Sequence, residues 1–244
     1  MKKGAPLILN GDNDKLVTVR EPDYKLVFFG IENPNVDFRA KDIEEKNGFT
    51  SFTVEFYGAS QRVTVPTVGI HNVYDALAAF AVGYEMRMEP RKIAAGLKSF
   101  VPSGMRQRIK KVGGITVIED CYNASPDSQK AALDVLSSFK SNRRIAVLGD
   151  MLELGKYSDV SHENVGKYTE NKNIDILFTY GAKAKHIAEG AKGFVDEIKS
   201  FDDKTELTKA LLETLKDGDA VLFKASRGMK LEDVINSLYR EWEE

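Results

Sequence analysis

Cysteine is almost missing from this sequence: Cys121 stands alone among 244 residues, so no disulfide can close within the chain. That usage fits a reducing, cytoplasmic setting. An excess of charge of one sign is missing too. Lys+Arg 35 against Asp+Glu 37 leaves a net charge of −2, which gives no electrostatic case for nucleic-acid binding. No apolar stretch approaches the length of a membrane span. The start, MKKGAPLILNGDN, has two lysines but only a four-residue apolar run, too short for a signal peptide. The three histidines, His71, His162 and His186, are far apart, and no pair has helical metal spacing. That spacing argues against a zinc site, and no metal ligand is assigned.

A phosphate-cradling loop is also lacking. GDMLELGKYS (149–158) follows the apolar run IAVL and looks at first like one. A P-loop needs glycine, four residues, glycine, lysine and then serine or threonine. Here five residues separate Gly149 from Gly155, and Tyr157 follows Lys156. Asp150 and Glu153 would repel phosphate where backbone amides should face it. The stretch is a decoy, and no true P-loop occurs elsewhere. Nor does any G-x-G-x-x-G follow a strand, which sets aside a dinucleotide-binding oxidoreductase.

What is present reads as α/β. Hydrophobic residues at 42% and charged residues at 30% suit a globular protein of one large domain or two ordinary ones. Residues 16–19, 25–31, 49–57 and 62–68 are rich in β-branched and aromatic side chains and predict strands. From Asn72 the spacing becomes helical, and 89–100 predicts a second helix with Pro90 near its start. ITVIED (115–120) predicts a buried strand, and 125–139 a helix with Ser125 as N-cap and Pro126 in its first turn. The polar stretch KSNRR (140–144) is the candidate boundary, dividing the chain into 1–140 and 141–244. Beyond it, strands at 145–150, 175–181, 197–201 and 219–226 alternate with helices, the pattern of a parallel sheet with covering helices.

In such sheets ligands bind at the carboxyl ends of the strands. That rule picks out Glu119, Asp120, Gly149, Asp150, Gly181, Lys224, Ser226 and Arg227. Lys224, Ser226 and Arg227 suit a carboxylate or phosphate near a helix N-terminus; equally, they are a capping serine with two solvated cations. Asp120 could accept hydrogen bonds from a ribose, and Asn123 could read an amide or a base edge. Cys121 lies beside an acid with no histidine nearby in sequence, which suits an inert thiol better than a nucleophile.

Four segments taken together resemble the Mur ligase superfamily. GIHNVYDALAAFAVG (69–83) resembles its G-x-H-N-x-x-N-x-L-A-A helix start. DCYNASPDS (120–128), VLGDMLELGKYSDVSH (147–162) and KASRGMKLE (224–232) are similar to D-x-Y-N-A-N-P-x-S, L-G-D-M-x-E-L-G…H and K-G-S-R-x-M-x-M-E. The last three belong to the member that joins D-Ala-D-Ala to UDP-MurNAc-tripeptide, and the resemblance runs from about residue 7 to the end. It implies the second part of a central ATPase domain, with a mixed sheet and helices, followed by a Rossmann-like substrate domain with a mainly parallel sheet. It also implies an ATP- and Mg2+-dependent ligase working through an acyl phosphate in peptidoglycan precursor synthesis. The family's P-loop, its main magnesium ligands and its UDP-sugar domain would then lie upstream of residue 1, leaving this chain inactive alone. A sheet edge left open by such truncation would favour self-association.

The resemblance implies nucleotide-binding roles for His71, Asn72, Arg106, Asp120 and Asn123, with Arg108 as the register alternative to Arg106. Asp75 stands where a second asparagine is usual, and Ser125 where the family more often has asparagine. Lys224, Ser226 and Arg227 fall on the substrate face. Asp150, Glu153 and His162 match the same face, where loop-shaping hydrogen bonds are an equal reading. No residue is assigned a catalytic role. Two alternatives remain: another amide ligase of the superfamily, of the folylpolyglutamate or cyanophycin synthetase type, and a non-catalytic binding module that has lost ATP chemistry.

Overall fold

Period-two alternation and a switch to helical spacing near residue 70 build the first part of the chain. A computed structural model describes residues 2–46, 48–101 and 104–243. In chain order it begins with β1 (Pro6–Asn10), β2 (Lys25–Gly30), β3 (Phe38–Lys46), β4 (Phe49–Phe56), β5 (Ala59–Val65), α1 (Ile70–Glu85) and α2 (Pro90–Lys98). The five strands form one sheet in the order β1-β2-β3-β4-β5. The pairs β1–β2 and β2–β3 are parallel, and β3–β4 and β4–β5 are antiparallel. One face of the sheet, including Val27, Phe38, Phe52, Val54 and Val63, packs on Val73, Leu77 and Phe80 of α1. Phe38 sits at the centre, with its ring 5.9 Å from Phe56 and 6.1 Å from Phe80. Aromatic side chains of this size dominate core energetics. Gly83 lets α2 approach α1: a Cβ there would lie 3.0 Å from Ile93.

Two elements of this unit differ from the sequence expectation. LVTV (16–19) is not a strand: residues Leu16–Thr18 make a 3-10 turn. The Asn13 carboxamide accepts from the amides of Lys15 and Leu16, and this local capping outweighs β propensity. β3 escapes sequence reading because a bulge between Lys41 and Glu44, with Asp42 at φ 51°, breaks its alternation.

The remainder runs β6 (Arg108–Val112), β7 (Ile115–Glu119), α3 (Pro126–Ser138), β8 (Arg144–Gly149), α4 (Ser158–Lys167), β9 (Ile176–Tyr180), α5 (Lys185–Gly190), β10 (Glu197–Phe201), α6 (Lys204–Thr214), β11 (Ala220–Lys224) and α7 (Glu232–Glu243). Its six-stranded sheet has the order β10-β9-β8-β11-β7-β6. Every pair is parallel except the β6–β7 hairpin. One sheet face, including Val117, Val147, Phe178 and Phe223, packs on Leu207 and Leu211 of α6, on Leu231 just before α7, and on Ile235 and Leu238 of α7. The alternate side chains Ile118, Ala146, Leu148, Leu177 and Leu222 are buried as well, on the opposite face by the period of two. That face carries α3, α4 and α5, as right-handed crossovers require.

The compact units are 1–101 and 102–244, so the division expected at 140/141 is corrected. β6, β7 and α3 lie before residue 140, yet β7 pairs with β11 in the second sheet. KSNRR is polar because it is a bonded turn between α3 and β8, not a linker. Arg143 Nη2 lies 2.6 Å from the buried Asp219 carboxylate, and Arg144 Nη2 donates to the Phe139 carbonyl.

Candidate functional site

The topology of the second sheet dictates where a site can form. β8 and β7 feed helices on one face, and β11, which lies between them, feeds α7 on the other. Loops that diverge in this way open a crevice at the carboxyl ends of the strands. The loops after β7, β8 and β11 carry DCYNASP, GDMLELG and KASRG. The fold therefore sets side by side three motifs that are far apart in sequence.

Hydrogen bonds weld these loops into one piece. In the β7 loop the Asp120 amide donates to the Phe223 carbonyl at 2.9 Å, and the Asp120 carboxylate accepts the Gln107 amide at 3.3 Å. Lys224 is only 2% exposed, and its ammonium lies 2.8 Å from Asp120 Oδ2. It also donates to the Asn123 carbonyl at 3.0 Å and to the Asp120 carbonyl at 3.5 Å. The Ser226 amide donates to the Asp150 carbonyl, and Ser226 Oγ accepts from the Leu152 amide at 2.9 Å. Beyond β8, one carboxylate oxygen of Asp150 accepts the amides of Lys183 and Ala184 at 3.0 and 2.7 Å, which ties this loop to the start of α5.

His162 completes the β8 loop from α4. Its Nε2 accepts from the Met151 amide at 2.9 Å. Its Nδ1 faces the Ser158 carbonyl at 2.7 Å, and a carbonyl only accepts, so Nδ1 bears the proton. Both ring nitrogens are committed to a neutral imidazole. Burial, the largest influence, lowers its pKa and outweighs the opposing pull of the Ser158 carbonyl and Asp150. His162 thus spends both ring nitrogens on shaping the loop, and one Asp150 carboxylate oxygen and Ser226 Oγ contribute to the same shape. Glu153 is exposed and strained at φ 65°, a region costly to residues other than glycine.

Other side chains of the cluster face outward. Arg227 is exposed, with its guanidinium 2.9 Å from Glu232. Asn123 is exposed, and its carboxamide oxygen accepts from the Ala124 amide. Arg106 is exposed and stacks over Tyr122, 4.0 Å from the ring centroid. Arg108 instead belongs to the β6–β7 hairpin, 3.9 Å from Glu119, so Arg106 is the arginine beside the β7 loop. Ser125 N-caps α3 in a capping box with Ser128. Cys121 is buried in the core, and burial first, then Glu232, Glu119 and Asp120, push its thiol up to about 12. It is not a nucleophile at neutral pH.

The remaining sequence candidates belong to the first unit. His71, Asn72 and Asp75 share the first turns of α1, whose N-cap Gly69 has φ 103°. The Asn72 carboxamide donates to the Val68 carbonyl at 2.7 Å and lies 3.0 Å from His71 Nε2. Asp75 is exposed one turn on.

Sequence reasoning missed Asp12. Its carboxylate accepts the amides of Ile31, Glu32 and Asn33 and the Tyr74 hydroxyl at 2.6, 3.1, 2.7 and 2.8 Å. Burial alone would raise its pKa, and these bonds outweigh burial and hold it below the ordinary aspartate value. An acid inside NGDND reads as turn punctuation, and only the fold reveals that it anchors a distant loop to α1. Tyr122, the partner of Arg106, was missed for the same reason.

Among the described residues, no three or more His, Cys, Asp or Glu side chains are grouped to hold a metal ion. No helix among them is long and apolar enough to cross a membrane. The donor set at the β7 loop does fit a nucleoside. Asp120 uses one acceptor position on each carboxylate oxygen internally and retains others, and Arg106 and Tyr122 present a flat face beside it.

A mixed-sheet α/β unit followed by a Rossmann-like one, with a motif cluster at the switch of strand order, defines a ligand-binding α/β protein. Residues 1–83 match the Mur ligase middle domain and residues 105–227 the Mur ligase glutamate ligase domain. The chain belongs to the Mur ligase family. It is 37% identical over 242 residues to a UDP-N-acetylmuramoyl-tripeptide–D-alanyl-D-alanine ligase of Bacillus subtilis, covering 98% of this chain and 52% of that protein. The Haemophilus influenzae protein of that name is 35% identical over 209 residues, 83% of this chain and 44% of its own length. Among solved structures, MurF ligase from Thermotoga maritima in complex with ADP superimposes with a TM-score of 0.85 at 25% identity, covering 99% of this chain and 55% of that one. MurF from Acinetobacter baumannii gives 0.86 at 25% identity, covering 96% of this chain and 51% of that one. The chain thus spans about half the length of the curated relatives it matches.

Proposed function

We propose that this chain supplies the nucleotide-contacting and dipeptide-side parts of an ATP-dependent amide ligase in peptidoglycan precursor synthesis. ATP, with Mg2+, phosphorylates the terminal carboxylate of UDP-MurNAc-tripeptide and leaves ADP. The amine of D-Ala-D-Ala then attacks the acyl phosphate carbon, phosphate departs, and the amide forms. The observation that supports this most is the convergence of DCYNASP, GDMLELG and KASRG on adjacent strand ends, in a chain whose match to the ligase of Bacillus subtilis runs almost end to end.

Within this reading Asp120 accepts from the ribose hydroxyls, and Arg106 with Tyr122 flanks the base. Asn123 adds a nucleotide contact from the same loop; in the first unit, His71, Asn72 and Asp75 are the residues given a nucleotide-binding role. Arg227 and Glu153 are the outward groups left for substrate, because Asp150, His162 and Ser226 hold the loop. A reducing cytoplasm is the compartment where these precursors would be made.

Phosphoryl transfer requires a P-loop and magnesium to position and neutralise the phosphates, and these 244 residues contain no P-loop sequence. With ATP, magnesium, D-Ala-D-Ala and UDP-MurNAc-tripeptide, the chain alone is expected to release no phosphate. Adding the amino-terminal half of the Bacillus subtilis ligase, which would bring a P-loop, is expected to restore release. Turnover by the chain alone would overturn this division of labour. The lack of a P-loop also favours a second reading, a non-catalytic Mur-ligase-like binding module; silence in both assays would support it.

A further inference from the structure

We propose that Lys224 is a positioning residue that fixes the β7 loop for nucleotide, rather than a cation offered to substrate. The inference rests on the reading of Asp120 as the ribose acid. An ammonium has three protons, and all three of Lys224 point at the β7 loop: Asp120 Oδ2 at 2.8 Å, the Asn123 carbonyl at 3.0 Å and the Asp120 carbonyl at 3.5 Å. With 2% of its side chain exposed, nothing of the charge is left for an incoming carboxylate or phosphate.

Side chains tether the loop as well: Cys121 packs into the core, Asp120 Oδ1 takes the Gln107 amide and Tyr122 stacks under Arg106. The loop's own backbone, however, is bonded elsewhere only at its ends, among the described residues. The Asp120 amide continues the ladder to Phe223, and the Ser125–Ser128 box starts α3. Between those ends, the one contact to another part of the fold that seats the loop backbone is Lys224, among the described residues. Its bond to Asp120 Oδ2 also fixes the rotation of that carboxylate, so the acceptor positions not bound to Lys224 or Gln107 face outward. Burying a lysine on a core strand is expensive, and a well-packed apolar residue often serves stability as well. A cation here earns its place by specifying geometry. Two residues on, Ser226 is bonded to the β8 loop, so β11 registers the nucleotide loop against the neighbouring substrate loop.

The test is an NMR titration of the isotopically labelled chain with ADP, on wild type, Lys224→Met and Lys224→Arg, alongside thermal unfolding. In Lys224→Met the amides of residues 120–125 should lose hydrogen-exchange protection, and ADP should bind about tenfold more weakly or worse, the usual result of a misplaced contact group. Lys224→Arg, which can still reach Asp120, should recover part of both. Loop order and ADP affinity unchanged in Lys224→Met would overturn the proposal. So would weaker ADP binding with the loop still ordered, since the ammonium would then be touching the nucleotide itself. If Lys224→Met fails to fold, Lys224→Arg decides: loop protection and ADP affinity that move together, both kept or both lowered, support the proposal, and affinity lowered with the loop still ordered overturns it. A wild-type chain that binds no ADP would count against the ribose reading of Asp120, while loop protection in the variants would still decide the role of Lys224.

Discussion

Asp12→Ala should destabilise the first unit by roughly 3 kcal/mol, because it strips a charged acceptor from three amides and a tyrosine hydroxyl and leaves those donors partly buried. The effect should be local. Hydrogen exchange at Ile31, Glu32 and Asn33 should rise together with mobility of the Tyr74 ring, while the second unit keeps its protection. Asp12→Asn retains one acceptor oxygen and should lose less. Because the folded-state pKa of Asp12 is lowered, its contribution is fully present above the ordinary aspartate value near 3.8 and disappears as pH falls through the folded value below it. A first unit whose acid unfolding is the same in wild type and Asp12→Asn would contradict this assignment.

The second large effect is expected at His162. Replacing it by leucine removes the acceptor for the Met151 amide and the donor for the Ser158 carbonyl in a fully buried position, at a cost of about 3 kcal/mol. The pH dependence has a definite sign. The folded pKa lies below the ordinary value of 6.5, so the unfolded chain takes up the proton first. Stability is therefore full above about pH 6.5 and falls below it, by at most about 1.4 kcal/mol per pH unit for this one group, until the folded pKa is reached. Chemical denaturation of the second unit between pH 7.5 and 5 measures that slope. It should be absent from His162→Leu and retained in His186→Asn, which removes the half-buried histidine nearby. An equal slope in all three proteins would assign the effect elsewhere.

Residues whose local pattern agreed with their global role were legible in the sequence. ITVIE, IAVL, DILFTY and AVLF are apolar runs with turn signals on both sides, as buried parallel strands must be, and all four are strands. Ser125 and Pro126 marked the start of α3 by capping chemistry alone. The carboxyl-end rule then picked out Asp120, Asp150, Lys224, Ser226 and Arg227 before strand order was known. Their partners were not legible. Nothing local says that Lys224 turns away from solvent to Asp120, 104 positions earlier, or that Arg143 meets Asp219 rather than starting a linker. β6 was missed because RIKKV is an edge strand whose charges shield its open side, although the following Gly113 and Gly114, both at positive φ, are a hairpin signal.

The lone cysteine has a use beyond composition. Cys121 is wholly enclosed, and its thiol is held far from ionisation, so an alkylating reagent meets a reactive sulfur only when the second unit opens. Each molecule therefore contains a single irreversible counter. The rate at which it is consumed records how often that unit breathes, separately from the first unit, which has no thiol to report.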